Sequence, residues 1–236
     1  MDRVLDQLVE RLKKSYGERL VSVVLYGSAA VGDHHGRFSD LNVLCVLEQV
    51  TPQELGESAP IFRWWRELGN PAPLLLSREE VRTSTDCFPI EFHDIQERRR
   101  VLYGEDVIAG LEIDDAFYRA QVEHELRAKL LRLRQKAAGV LADRELLRTL
   151  LIDSVSTFCV LFRHALRLAG VAAAFEKRRI LEQAQQHFGL DPAPFQRILD
   201  LREQKIRLKE VDPGPLFASY LKGIETVLAA VDKLER

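Results

Sequence analysis

Three cysteines in 236 residues are too few for a disulfide framework. Cys45, Cys87 and Cys159 are odd in number and, like the six histidines, lack the spacing of zinc ligands, so reduced thiols in a cytoplasmic protein are expected. No apolar run approaches the length of a bilayer span, so no membrane partner is expected. The opening stretch MDRVLDQLVERLKKSYG intersperses charges among apolar residues at helical spacing and does not read as a signal peptide. Internal repeats and low-complexity tracts are missing, as are a Walker-type loop, a Rossmann fingerprint, a nucleophile elbow and a kinase signature. What is present is an ordinary globular composition, 46% hydrophobic and 30% charged. That composition argues against disorder and fibre, and 27.0 kDa leaves room for one large domain or two small ones.

The net charge is also small, −2, but it conceals an asymmetry. Residues 1–115 carry 13 basic and 21 acidic side chains, whereas residues 116–236 carry 21 basic and 15 acidic. An acidic half joined to a basic half suits a site with metal on one wall and a polyanion on the other; two domains that attract each other explain it more simply. A pI near 6.3 and the lack of interleaved aromatic and basic residues argue against a dedicated nucleic-acid binder.

Patterning divides the chain at the same place. In the first half, residues 2–16 repeat apolar positions at helical spacing (Val4, Leu5, Leu8, Val9, Leu12). Val21–Tyr26 is a β-branched apolar run stopped by Gly27, hence a buried strand, and Leu41–Leu47 is a second. Pro52–Leu68 predicts a helix that Pro60 should break or kink. A weaker strand over Pro73–Leu76, a short helix over Arg78–Arg82 and a strand over Phe88–Ile95 complete a small sheet with helices packed on it. The second half has no convincing strand. Helices are expected over Phe117–Lys136, Glu145–Leu168 (the most apolar), 175–188, 193–209 and 214–235, forming a bundle. Gly104–Asp115 reads as the linker, with domains at 1–112 and 113–236.

The informative stretch runs from Leu25-Tyr26-Gly27-Ser28 to Ser39-Asp40-Leu41-Asn42-Val43-Leu44. A strand ending in Gly27 lets an anion approach the backbone, and Ser28 adds a hydroxyl at the start of a turn. Asp40 and Asn42, two apart on a strand, leave the same face about 6.5–7 Å from each other. In Phe88-Pro89-Ile90-Glu91-Phe92-His93-Asp94-Ile95, strand alternation places Ile90 and Phe92 inward and Glu91 and His93 outward, with Asp94 on the wrong face. In the bundle's first helix, Glu125 and Lys129 lie one turn apart in a polar stripe that continues to Arg132 and Lys136.

This pattern resembles the nucleotidyltransferase superfamily related to DNA polymerase β, and its two-domain arrangement is similar to that of the kanamycin nucleotidyltransferase type. The family fingerprint is Gly-Ser, a spacer of roughly a dozen residues, then a carboxylate–apolar–carboxylate triplet on a strand. The resemblance covers residues 25–47 closely and the rest of the chain loosely. It implies an α/β (α+β) domain with a small mixed sheet followed by an all-α helical bundle. It further implies NTP as substrate, Gly27 and Ser28 on the phosphates, and Mg2+ held by Asp40, the Asn42 position and Glu91 as the third carboxylate. Glu125 would be the general base and Lys129 a contact to the nucleotide; a Glu four residues before a Lys is also the favourable orientation for a plain helix ion pair, and the residues alone favour that pairing.

The departure from the family is Asn42, a neutral amide where a carboxylate is wanted. Transfer of a nucleoside monophosphate to a hydroxyl acceptor is the activity implied; a catalytically impaired nucleotide-binding or regulatory protein of the same fold is the alternative. The acceptor could be a small molecule, a protein or an RNA, sitting where the two domains meet. Surplus apolar faces on the bundle are compatible with a homodimer. Arg98-Arg99-Arg100, Asp153, His34-His35 and Trp64-Trp65 are weaker candidates, each more simply read as surface or core.

Overall fold

The computed structural model describes residues 1–31 and 41–234. They form two compact units, Met1–Phe117 and Tyr118–Arg236. Among the described residues no helix is long and apolar enough to cross a membrane.

The first unit is built on a four-stranded sheet of β1 (Leu20–Tyr26), β2 (Asn42–Leu47), β3 (Leu74–Ser77) and β4 (Arg99–Gly104), in the order β3-β2-β1-β4. β1 is antiparallel to both neighbours, and β2 and β3 are parallel. The two central strands are apolar on both faces because both faces are covered. Val23, Leu25, Val43, Cys45 and Leu47 pack with α1 (Asp2–Tyr16) and α2 (Pro52–Glu67), which contribute Leu5, Leu8, Leu12, Ile61 and Trp65. Val24, Leu44 and Val46 pack on the other side with Val81 of α3 (Arg78–Thr83) and with Phe92 and Ile95 of α4 (Pro89–Glu97). An irregularity in β1 between Leu20 and Ser22 turns Val21 onto this second face as well. Gly104 answers it from β4 with φ +76, its α-carbon set against the Val21 backbone.

Helix α2 starts with a full capping box, the Thr51 side chain and Glu54 each serving the other's backbone, with Pro52 at the first helical position. Of the break or kink expected at Pro60, a break does not occur: the helix continues through it. Pro60 and Gly56, whose carbonyl would lose its partner, are both exposed, so that carbonyl is open to solvent.

A second expectation fails more instructively. Phe88–Ile95 is not a strand but helix α4, opened by Pro89 and burying Ile90, Phe92, His93 and Ile95. The strand that completes the sheet is the following segment, Arg99–Gly104. The expected linker is also packed: Ile108 is wholly buried in the second core.

The second unit consists of α5 (Tyr118–Ala138), α6 (Arg144–Leu168), α7 (Lys177–Phe188), α8 (Ala193–Arg202) and α9 (Pro213–Lys233). As the sequence predicts, α6 is central, packing on all four of the others. Its core is aromatic: Phe158 meets Tyr220 edge-on at 5.9 Å between centroids, and Phe162 meets Phe195 at 5.4 Å. The eighth helix ends seven residues earlier than its pattern suggests, and Leu208–Glu210 forms a separate 3-10 turn. The fold is therefore a small mixed sheet domain followed by a helical bundle.

Candidate nucleotide site

β1 ends at Tyr26, and Gly27 follows with φ +80, a conformation that costs any residue with a β-carbon. The Gly27 N–H is donated to the Arg98 carbonyl at 3.0 Å, and the Gly27 carbonyl accepts from Ala30 at 3.1 Å as the chain turns into the 3-10 segment Ser28–Val31. Asn42 opens β2 directly opposite Tyr26. It is half-buried, and a β-carbon on Gly27 would sit 3.4 Å from its Nδ2. The Asn42 amide makes no hydrogen bond with any described residue. Strand parity places it with Leu44 and Val46, on the face covered by α4.

Glu91 comes to this face from α4 rather than from a strand. It is exposed, and its charge reaches the Tyr26 phenol: burial first, then the Glu91 carboxylate, push Tyr26 up to about 12. The helix separates Glu91 from its expected companion. His93 is turned inward, 3% exposed, with Nε2 2.6 Å from an Asp115 carboxylate oxygen. The residue one turn on from Glu91 is instead Asp94, half-buried, which strand alternation had assigned to the wrong face. Tyr26 is thus a member of this corner that sequence reasoning missed, and Asp94 is the carboxylate that the helix sets beside Glu91. Pro89 as a helix opener, with apolar residues at 88, 92 and 95, was the signal that could have found Asp94.

Asp40, with His34 and His35, lies outside the described residues, as does the side chain of Ser28. Gly27, Asn42 and Glu91 are therefore the expected residues that this unit brings to one end of its sheet. Among the described residues, no group of three or more His, Cys, Asp or Glu is placed to hold a metal ion.

Glu125 and Lys129 belong to the other unit. They form an i,i+4 ion pair of 3.2 Å on α5, whose inward face is Val122, Leu126, Leu130 and Leu133. The weaker candidates take structural roles. Arg99 holds Asp106 through Nε and Nη2, and Arg100 reaches Asp2 at 2.9 Å. Asp153 faces solvent. Trp65 is wholly buried, while Trp64 lies under the Arg11 guanidinium at 4.2 Å. None of the three cysteines forms a disulfide with a described residue; Cys45 and Cys159 are buried and Cys87 is at the surface.

The first unit thus brings a strand ending in a left-handed glycine, a polar residue opening the adjacent strand and a carboxylate from a flanking helix towards one end of its sheet. Among solved structures, the chain is similar to the crystal structure of the spectinomycin adenyltransferase AAD(9) from Enterococcus faecialis with ATP and spectinomycin. The two align over 97% of this chain and 99% of that one, with a TM-score of 0.59 and 13% identity, so the likeness extends to both units and concerns the fold. A toxin-antitoxin structure with AMP-PNP aligns over 43% of this chain and 74% of that one at 15% identity, with a TM-score of 0.31 that is too low to define a shared fold. No family model matches the sequence, and no curated protein does.

Proposed function

We propose that this chain is a nucleotidyltransferase that moves a nucleoside monophosphate from an NTP to a hydroxyl acceptor and releases pyrophosphate. The observation that carries the reading is the corner itself: Gly27, Asn42 and Glu91 meet at one end of the sheet, in a fold shared along its length with an adenyltransferase solved with ATP. Bare backbone at Gly27 lets the triphosphate come close, and Ser28 adds a hydroxyl donor. Phosphoryl chemistry of this kind depends on positioning and charge rather than on a protein nucleophile. In the same reading the roles implied by the resemblance are a proton acceptor for the hydroxyl at Glu125 and a nucleotide contact at Lys129.

Magnesium belongs to this fold family, and the donors here decide how much of it fits. Mg2+ takes one or two protein carboxylates and completes its shell with phosphates and water. Glu91, joined by Asp40 from the sequence motif, meets that need for one ion that accompanies the nucleotide. A second ion about 3.5–4 Å away would need more negative charge, and Asn42 supplies none. When bound, the ion neutralises phosphate charge; holding it is the work of Asp40 and Glu91.

The neutral amide also favours a second reading, in which the chain binds nucleotide and does not transfer it. Thermal unfolding of the full chain with ATP, GTP, CTP and UTP, each with and without Mg2+, tests the site. A ligand at 100 times its dissociation constant stabilises by about 2.7 kcal/mol. The expected outcome is a shift with at least one nucleotide, increased by Mg2+, with the Mg2+-dependent part lost in Asp40→Ala. Absence of a shift with all four overturns the reading. A shift without any nucleotidyl transfer in the presence of Mg2+ to a panel of hydroxyl acceptors selects the binding-only form.

A further inference from the structure

The position that breaks the family pattern is the one whose side chain is uncommitted. Asn42 is half-buried, its amide makes no hydrogen bond with any described residue, and its Nδ2 lies against the open side of Gly27, 3.4 Å from where a β-carbon would be. A triphosphate drawn close to Gly27 would come to rest beside this amide. An amide can turn either end to its neighbour, since no described residue fixes it: the NH2 group offers two donors to an anion, and the carbonyl offers a neutral acceptor to a cation. Beside a phosphate the NH2 end is the favourable one. An aspartate at this position would instead set a negative charge against the phosphates, tolerable only when a cation lies between them.

We infer that Asn42 is a phosphate-binding residue rather than a metal ligand, and that it gives the site a component of nucleotide affinity that does not require magnesium. The inference rests on the nucleotide reading of this corner and adds a division of labour to it. The Glu91 carboxylate serves the part of affinity that depends on the ion, and the Asn42 amide supplies the part that does not. Strand pairing with Tyr26 sets the Asn42 backbone, so the amide is delivered by the sheet and not by a loop.

The test measures ATP affinity by titration calorimetry for the wild-type chain, Asn42→Asp and Asn42→Ala, in excess EDTA and in excess Mg2+. Circular dichroism and unfolding temperature establish that each variant is folded. Wild type should bind ATP in EDTA. Asn42→Ala, which removes the donors without adding charge, should lose about tenfold there, the scale of one hydrogen bond to a charged group. Asn42→Asp should lose more than Asn42→Ala in EDTA and recover in Mg2+, because the ion screens the new carboxylate. Because Asn42→Ala introduces no charge, it carries the test on its own if Asn42→Asp does not fold. Equal metal-free affinity in all three proteins would overturn the inference, as would wild-type binding seen only with Mg2+; both leave the nucleotide reading standing. Failure of all three proteins to bind ATP, GTP, CTP or UTP under either condition removes the nucleotide reading, and the inference with it.

Discussion

On the two central strands of the first unit the half-buried polar side chains, Tyr26 and Asn42, stand where the strands end beside Gly27. In the second unit they are threaded through the core along α6 itself. Arg148, 4% exposed, gives its guanidinium to the Val211 carbonyl, and Arg163, 6% exposed, lies over the Phe175 ring at 4.3 Å. His164, 1% exposed, has Arg163 3.4 Å from Nε2 and the Tyr118 hydroxyl 2.6 Å from Nδ1. A guanidinium only donates, so Nε2 accepts and the Nδ1–H is donated to Tyr118. Burial and the neighbouring Arg167 draw Arg163 down to about 10. The difference follows from the backbone. A central strand spends its hydrogen bonds on both neighbours and packs both faces, so polar side chains are tolerated where it ends. A buried helix is self-sufficient in hydrogen bonds and can hold a polar side chain wherever a partner is supplied. Half-buried polar side chains of the central strands therefore gather at the strand ends, while the buried polar groups of α6 fix the packing of the second unit.

The same contrast can be broken at one glycine in each unit. Gly104→Ala should be the most damaging, at about 3 kcal/mol or more in urea unfolding: a β-carbon would overlap the Val21 carbonyl, and φ +76 is strained for alanine in any case. Backbone cannot step aside there, because Val21 belongs to the irregular turn of β1. Gly223→Ala in α9 should cost less, about 1–2 kcal/mol. Its β-carbon would come within 2.5 Å of Phe195 Cε2 and 2.9 Å of Leu190 Cδ1, yet both are side-chain atoms that can shift, and alanine regains helix propensity. Equal losses at the two positions would show that sheet and bundle are equally yielding and remove the contrast.

Thr51→Ala sharpens it at a smaller scale, about 1 kcal/mol, as expected for a lost N-cap. It also has a pH signature. The Thr51 hydroxyl, followed by Arg19, draws Glu54 from its usual 4.5 to about 2. A carboxylate held low in the folded state stabilises above its unfolded value and loses that contribution as the pH falls from 4.5 towards 2. In Thr51→Ala the loss should be compressed towards the upper end of that window, which unfolding temperatures measured between pH 5 and pH 2 would reveal.

Which elements could be read from the sequence follows the same division. The long helices of the second unit were legible because α6 and α5 repeat apolar positions over many turns, and the central strands because their runs are unmixed. Helix α4 was not. Over eight residues, Phe88, Ile90 and Phe92 satisfy alternation about as well as Phe88, Phe92 and Ile95 satisfy helical spacing, and tertiary packing of Phe92 and Ile95 against Val81 and Val24 decided the matter. Strand β4 was hidden by Arg99 and Arg100, charges that suit a sheet edge and are held there by Asp106 and Asp2. For the candidate site, the spacing of the motif led to Gly27 and Asn42, which the sheet sets side by side. The error at Glu91 was one of element type: a helix reaches the same corner, bringing Asp94 with it and turning His93 away.

The bond from Gly27 to the Arg98 carbonyl has a consequence for how such a chain can vary over time. Arg98 closes α4, and Arg99 pairs with Tyr26 at once, so no slack separates the helix from the strand. The segment from Glu91 to Arg99 acts as a ruler of fixed length. Insertion or deletion of one residue within it would rotate Glu91 by about 100° around the helix and carry it off the site. Length changes between β3 and α4 leave that ruler intact, and it is there that descendants of this sequence are free to differ.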